Sequence, residues 1–332
     1  MKVGLALPHY DFSYPDGRPA DLEATIGYAR RAEELGFDSV WVSDHFFLDL
    51  SRYGGSKGRS KSLEALTTLS AIAIETQRVR LGTLVLCEAF RHPPVLAKMA
   101  TTLDIVSEGR LELGIGAGWY EDEYTAFGFR FPPTAERIER LRETAEILGG
   151  MLINDRFTYR GKHYHVDEAP NDPPPVQKPR PPIWIGGKGG PKILRLVAEA
   201  ADGWNTVWRW TPEAYAERSA ALETACGKAG RDPATVHRSL GLYTVVGADE
   251  GDFDERWKRV LASAPIDTSG VHVEDWRRDA LVGSADTCVE RIKEFEALGV
   301  EHLIVTFGLV PFMVSDDEQL DVFAREVLPA LR

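Results

Sequence analysis

The sequence predicts an α/β protein whose parallel strands close into a (β/α)8 barrel with irregular insertions. Short β-branched runs alternate with longer helical patterns along the whole chain, and eight strands can be counted, each followed by a helix. Several of those strands are nearly continuous apolar runs, as in a parallel sheet buried on both faces. The 332 residues, 43% of them hydrophobic, suffice for one barrel-sized domain or two smaller ones, and the strand count favours a single domain over 1–332.

The first strand is residues 2–7, followed by a Gly/Pro-rich loop. In 21–35, Leu22, Ile26, Ala29, Ala32 and Leu35 fall on one face of a helix, and Gly36 supplies its stop. Residues 39–42 form the second strand. Its outgoing loop, an insertion over 43–61, holds glycines, an aromatic and basic residues and is expected to fold as a lid. A helix over 63–76 leads to the stretch around which the chain is organised: a strand over 79–86, a Pro-Pro step opening a helix over 94–106, and a strand over 111–115. A right-handed crossover puts both outgoing loops, 87–92 and 116–124, on one edge of the sheet, where the active site is expected.

A helix over 135–148 precedes an insertion, 151–182, rich in Pro, Asp and Tyr, with a small hairpin expected over 157–166. The alternation resumes with strand 183–185, turn 186–190, helix 191–201, strand 203–207, helix 212–225 and strand 236–246. A second irregular insertion is expected over 249–280, then helix 285–298, strand 302–306 and a closing helix 317–331.

Lys+Arg 39 against Asp+Glu 51 gives a net charge of -12, with the acids spread along helices, which argues against a nucleic-acid partner. The three cysteines lie far apart without metal-ligand or disulfide spacing, so a reducing cytoplasm fits best. The eight histidines are scattered and no His-x-His ends a strand, so no metal site is expected. No signal-peptide pattern opens the sequence and no stretch reads as a membrane span. The glycine-rich turn 186–190 resembles a dinucleotide fingerprint, but its spacing is Gly-Gly-x-Gly-Gly and no acid ends a strand at the required distance. Backbone amides at the start of the following helix, with Lys188, form a candidate phosphate site; the alternative is a tight turn needing glycine for its dihedrals alone.

Several motifs in the right order carry a family resemblance: Ser43-Asp44-His45-Phe46, Gly82–Leu86 followed by Phe90-Arg91-His92-Pro93, Gly109–Gly118, Pro182–Gly190, Ala201–Asn205 and Gly283-Ser284. Together they resemble the bacterial luciferase-like monooxygenase superfamily over nearly the whole chain, and more closely its deazaflavin branch. The resemblance implies a TIM barrel, usually a homodimer, that binds coenzyme F-420 or FMN at the C-terminal strand ends. It implies that His45, paired with Asp44, exchanges the proton that balances a hydride transfer, as an imidazole can near neutral pH. Leu84-Val85 matches a bulge holding a non-prolyl cis peptide against the ring, and Cys87 lies close enough to touch it. Gly116, Gly118 and Trp119 would approach the coenzyme, Asp122 would orient it, and Gly186, Gly187, Lys188 and Gly189 would hold its phosphate.

The sequence departs from the sugar-phosphate dehydrogenase subgroup, which has a glutamate at the Trp119 position and a tryptophan near Asp49. That departure, with Phe46, Phe47, Phe90, Trp208 and Trp210, favours reduction of an apolar enone or imine over sugar oxidation. The basic residues Arg52, Lys57, Arg59 and Lys61 suit a polyacidic coenzyme tail and so favour F-420 over FMN. An FMN-dependent monooxygenase and a non-catalytic coenzyme-binding protein remain the alternatives.

Overall fold

Parallel strands form the closed eight-stranded barrel that the alternation predicts, with helices around it. The computed structural model describes residues 1–332. Contacts divide the chain into two parts, residues 1–64, 206–220 and 238–332, and residues 65–205 and 221–237.

In the first part, strand Lys2–Ala6 pairs with Ser39–Val42 on one side and His302–Phe307 on the other, and His237–Gly247 continues the parallel order beyond His302–Phe307. Every residue of Ser39–Val42 and His302–Phe307 is buried, which explains their lack of polar alternation. Their polar groups pair with one another: Ser39 Oγ lies 2.7 Å from His302 Nε2 and accepts the Trp41 indole N–H at 2.7 Å. Helix Leu22–Leu35 starts where the Asp21 carboxylate accepts the Glu23 N–H at 2.9 Å, and it stops at Gly36, at φ 88°. The loop expected as a lid contains the short antiparallel pair Phe47–Leu48 and Ser60–Lys61 and a 3-10 turn, Leu50–Tyr53.

Residues 249–280 are not irregular: they hold helices Glu250–Ser263 and Val273–Asp279, and the next strand, Leu281–Ser284, pairs with His237–Gly247. The first helix buries Phe253, Arg256, Trp257 and Val260, an i, i+3, i+4, i+7 stripe masked by the charged residues between them. The closing segment is not one α-helix either. It runs from Glu318–Val322 through a π turn, Phe323–Val327, into a 3-10 turn, Leu328–Leu331, because Pro329 has no N–H to continue the ladder.

In the second part, Arg80–Thr83, Leu111–Gly116, Ile183–Gly186 and residues 203–205, the opening of strand Gly203–Trp208, run parallel in that order. The β-branched and Leu-rich run expected as one strand over 79–86 is interrupted: Arg80–Thr83 and Leu86–Cys87 both pair with Leu111–Gly116, and Leu84-Val85 bulges out between them with a cis peptide bond. Arg110 is buried and closes helix Ala65–Glu75 by donating to the carbonyls of Ala73 at 2.7 Å and Thr76 at 3.0 Å. The insertion after helix Thr134–Met151 contains the hairpin Arg156–Arg160 and His165–Pro170. Its turn is held by Glu143 of that helix, whose carboxylate accepts the N–H groups of Lys162 at 2.8 Å, His163 at 2.9 Å and Tyr164 at 2.9 Å. No helix is long and apolar enough to cross a membrane.

Candidate active site

The first part places Ser43, Asp44 and His45 directly after strand Ser39–Val42; Asp44 is buried, His45 is half-buried, and the Ser62 hydroxyl donates to the His45 carbonyl. His9, just beyond the first strand, lies beneath them fully buried. Its Nδ1 is 2.8 Å from the Leu7 carbonyl, which can only accept, so the proton sits on Nδ1 and Nε2 accepts from the Ser43 hydroxyl at 2.9 Å. Ser43 Oγ is then left to accept from the Tyr10 hydroxyl. Burial is the main force on this imidazole and pushes it down to about 4, against the opposing Leu7 bond; the charge of His45 adds a smaller lowering. His9 therefore stays neutral through the physiological range and fixes the Ser43 hydroxyl in one direction. Aromatic rings surround this network: Phe312 meets His9 edge-on at 5.0 Å, and Trp208 meets Phe312 at 5.3 Å and stacks on Tyr243 at 5.5 Å.

The burial of His9 makes the stability of the fold depend on pH. An imidazole harder to protonate when folded than when unfolded stabilises the unfolded chain as pH falls from 6.5 to about 4. The loss reaches about 3 kcal/mol. Urea unfolding at pH 4 and pH 7 checks this: His9→Gln, neutral throughout, is expected to show a clearly shallower acid loss than the wild type.

In the second part, the side chain of Val85 projects from the bulge into the space left by two glycines. A methyl group added at Gly116 or Gly186 would come within 2.7 Å of a Val85 methyl carbon. The close approach that glycine permits at these positions is thus taken up by Val85. Cys87, at the end of the bulge, is buried with its Sγ 3.0 Å from the Tyr124 hydroxyl, and burial, then the neighbouring thiol, push that phenol upward. Gly118, at φ +68°, passes this pair so closely that a Cβ would meet the Tyr124 hydroxyl and lie 2.7 Å from Cys87 Sγ.

Trp119 is 46% exposed and stacks on Tyr120 at 5.3 Å, while Asp122 is exposed in the first turn of helix Glu121–Ala126. In the glycine turn, the Gly187 N–H donates to the Asn205 carbonyl at 3.0 Å and the Gly187 carbonyl accepts the Trp204 indole N–H at 2.9 Å. The turn leads through Gly189, at φ +72°, to Pro191 at the first position of helix Pro191–Ala200; Lys188 is exposed. Val85, Gly116 and Gly186 thus form one cluster, and Cys87, Gly118 and Tyr124 an adjoining one, whereas Asp122 and Lys188 lie at the surface. Sequence reasoning missed His9 and Tyr124. His9 stands in a Gly/Pro-rich loop, although it closely follows a strand end.

Residues 1–302 match the profile of the luciferase-like monooxygenases. The chain belongs to that family. It is 34% identical over 320 residues, 91% of each chain, to an F420-dependent glucose-6-phosphate dehydrogenase of Microbacterium testaceum. It is 35% identical over 353 residues to another from Kineococcus radiotolerans, covering 100% of this chain and 97% of the relative. Among solved structures, an F420-dependent secondary alcohol dehydrogenase in complex with an F420-acetone adduct shares the fold with a TM-score of 0.79 at 22% identity, over 100% of this chain and 99% of that one. In this luciferase-like protein, Ser43, Asp44 and His45 follow the end of strand Ser39–Val42, and Gly187, Lys188 and Gly189 follow the end of strand Ile183–Gly186.

Proposed function

We propose that the protein is an oxidoreductase moving a hydride between the deazaflavin coenzyme F-420 and a small or medium apolar organic substrate. The observation that carries this reading is full-length similarity to F420-dependent dehydrogenases at 34% and 35% identity. The residues present suit the coenzyme. Val85, backed by Gly116 and Gly186, is a rigid apolar support for a flat ring, and Leu84 and Cys87 flank it. The turn Gly186, Gly187, Lys188, Gly189 offers a phosphate a helix N-terminus and a cation. Exposed Arg52, Lys57, Arg59 and Lys61 suit an acidic tail.

When bound, the coenzyme supplies the hydride-carrying ring carbon. His45, which follows the buried Asp44 and whose main chain is held by the Ser62 bond to its carbonyl, holds the balancing proton. Trp208 and Phe312, edge-on to one another at 5.3 Å, exclude water around an apolar or aromatic substrate. A cytoplasmic location suits three cysteines that form no disulfide. In a homodimer, helices Ala65–Glu75 and Pro93–Val106 would supply the interface.

Anaerobic mixing of the enzyme with reduced coenzyme F-420 and a panel of enones and imines tests the reaction. Re-oxidation of the deazaflavin without oxygen is the expected result; turnover only with reduced FMN and oxygen would contradict it.

A further inference from the structure

Glu88 follows Cys87 directly, in the short 3-10 turn Glu88–Phe90, and is only 1% exposed. A buried carboxyl ordinarily has both oxygens occupied. Here the Tyr164 hydroxyl donates to Oε2 at 3.1 Å, and the buried Oε1 has no partner. A complementary orphan lies nearby. Arg137 of helix Thr134–Met151 donates through its terminal nitrogens to the Pro132 carbonyl at 2.5 Å and to Thr134 Oγ1 at 3.2 Å, while its buried Nε has no acceptor. The Arg137 guanidinium acts electrostatically on both Glu88 and Tyr124, the tyrosine bonded to Cys87.

The other groups facing Glu88 are few. Arg140 and Glu136 come from the same helix as Arg137, and Tyr164 comes from the hairpin that Glu143 anchors. His92 packs edge-on against the Tyr164 ring at 5.6 Å. Burial outweighs the help of Tyr164 and the two arginines and pushes the carboxyl up to about 7, so both protonation states are populated near neutral pH.

We propose that Glu88 is a positioning residue that ties the turn carrying Cys87 to the Tyr164 hairpin and resets that tie by gaining or losing a proton. In the neutral state Glu88 needs no cation, and Arg137 keeps its present contacts. The carboxylate draws the Arg137 Nε–H onto Oε1, pulling the helix against the turn and disturbing the bulge beside Cys87. The neutral state is the one that holds the coenzyme. This rests on the reading that Leu84–Cys87 supports the deazaflavin ring.

The test is coenzyme F-420 affinity from pH 5.5 to 8.5 for the wild type, Glu88→Gln and Tyr164→Phe, with unfolding midpoints of the coenzyme-free proteins over the same range. Wild-type affinity is expected to fall about tenfold as pH rises through neutrality, corresponding to one pKa unit of preference for the neutral form. Glu88→Gln is expected to stay at the wild type's acid-limb affinity throughout. Tyr164→Phe, having lost a donor to the carboxylate, is expected to move the step to higher pH, and it carries the test if Glu88→Gln does not fold. Without coenzyme, the wild type is expected to lose stability relative to Glu88→Gln as pH rises from 4.5 to about 7, because its carboxyl is harder to ionise when folded.

A step that persists in Glu88→Gln, or one that His92→Gln abolishes instead, overturns the proposal. So does an affinity independent of pH in the wild type while the coenzyme-free stability difference is present, an outcome that leaves the coenzyme reading standing. Failure of the wild type to bind coenzyme at any pH overturns the coenzyme reading, and the positioning role with it.

Discussion

Turnover is expected to fall by about 10²–10⁴-fold when His45 is replaced by Gln, with coenzyme affinity changed by no more than about threefold. Glutamine keeps a polar group of similar size but cannot exchange a proton near neutral pH, so the loss isolates proton transfer from binding. The surroundings support the distinction. Ser62 fixes the His45 main chain, and the Ser43–His9–Tyr10 network fixes the residues just before it; none of these bonds involves the imidazole of His45. Single-turnover reduction of substrate by the preformed coenzyme complex is the measurement. A variant with unchanged rate and native unfolding midpoint would remove His45 as the proton donor.

The largest structural effect is expected at Gly118. Gly118→Val places a side chain where the backbone is at φ +68° and where Cys87 Sγ would lie 2.7 Å from the new Cβ, with the Tyr124 hydroxyl closer still. The left-handed conformation costs about 1–2 kcal/mol for a residue with a Cβ, and crowding a packed site adds about 1–3 kcal/mol. Gly128 provides the control, because it has a similar φ of +77° and nothing within 4 Å of a built Cβ. Gly128→Ala should therefore show the conformational cost alone. Denaturant unfolding of both variants checks the difference, and the Gly118 variant is also expected to lose coenzyme affinity because the Cys87–Tyr124 pair must move. Equal destabilisation of the two would mean that the site is not tightly packed there.

The barrel was legible because several of its strands are nearly continuous apolar runs and its first helix ends on an ordinary stop signal, Gly36. The Leu84-Val85 bulge was not legible from periodicity. Residues 79–86 read as one β-branched and Leu-rich strand, and only the register on Leu111–Gly116 reveals that Val85 leaves the ladder. The family motif pointed to it where pattern could not. Gly116 was legible as a close-approach position and Gly186 only as part of a phosphate-type turn; their shared occupant, Val85, comes from a third strand. The same limit applies to Cys87 and Tyr124, 37 residues apart, and to Glu88 and Tyr164, 76 residues apart. Each partner looks ordinary alone, and chemistry emerges only when the fold joins them. The helix Glu250–Ser263 is a different failure, since its buried stripe was present in the sequence and was obscured by the charged residues interleaved with it.

The central claim is the identity of the coenzyme, and a binding titration tests it most directly. Purified coenzyme-free protein would be titrated with coenzyme F-420 and, separately, with FMN, following the quenching of its eight tryptophans. Tight binding of the deazaflavin with weak binding of FMN is the predicted result. Tight FMN binding with no saturable binding of the deazaflavin would contradict it and move the protein to oxygen-using chemistry.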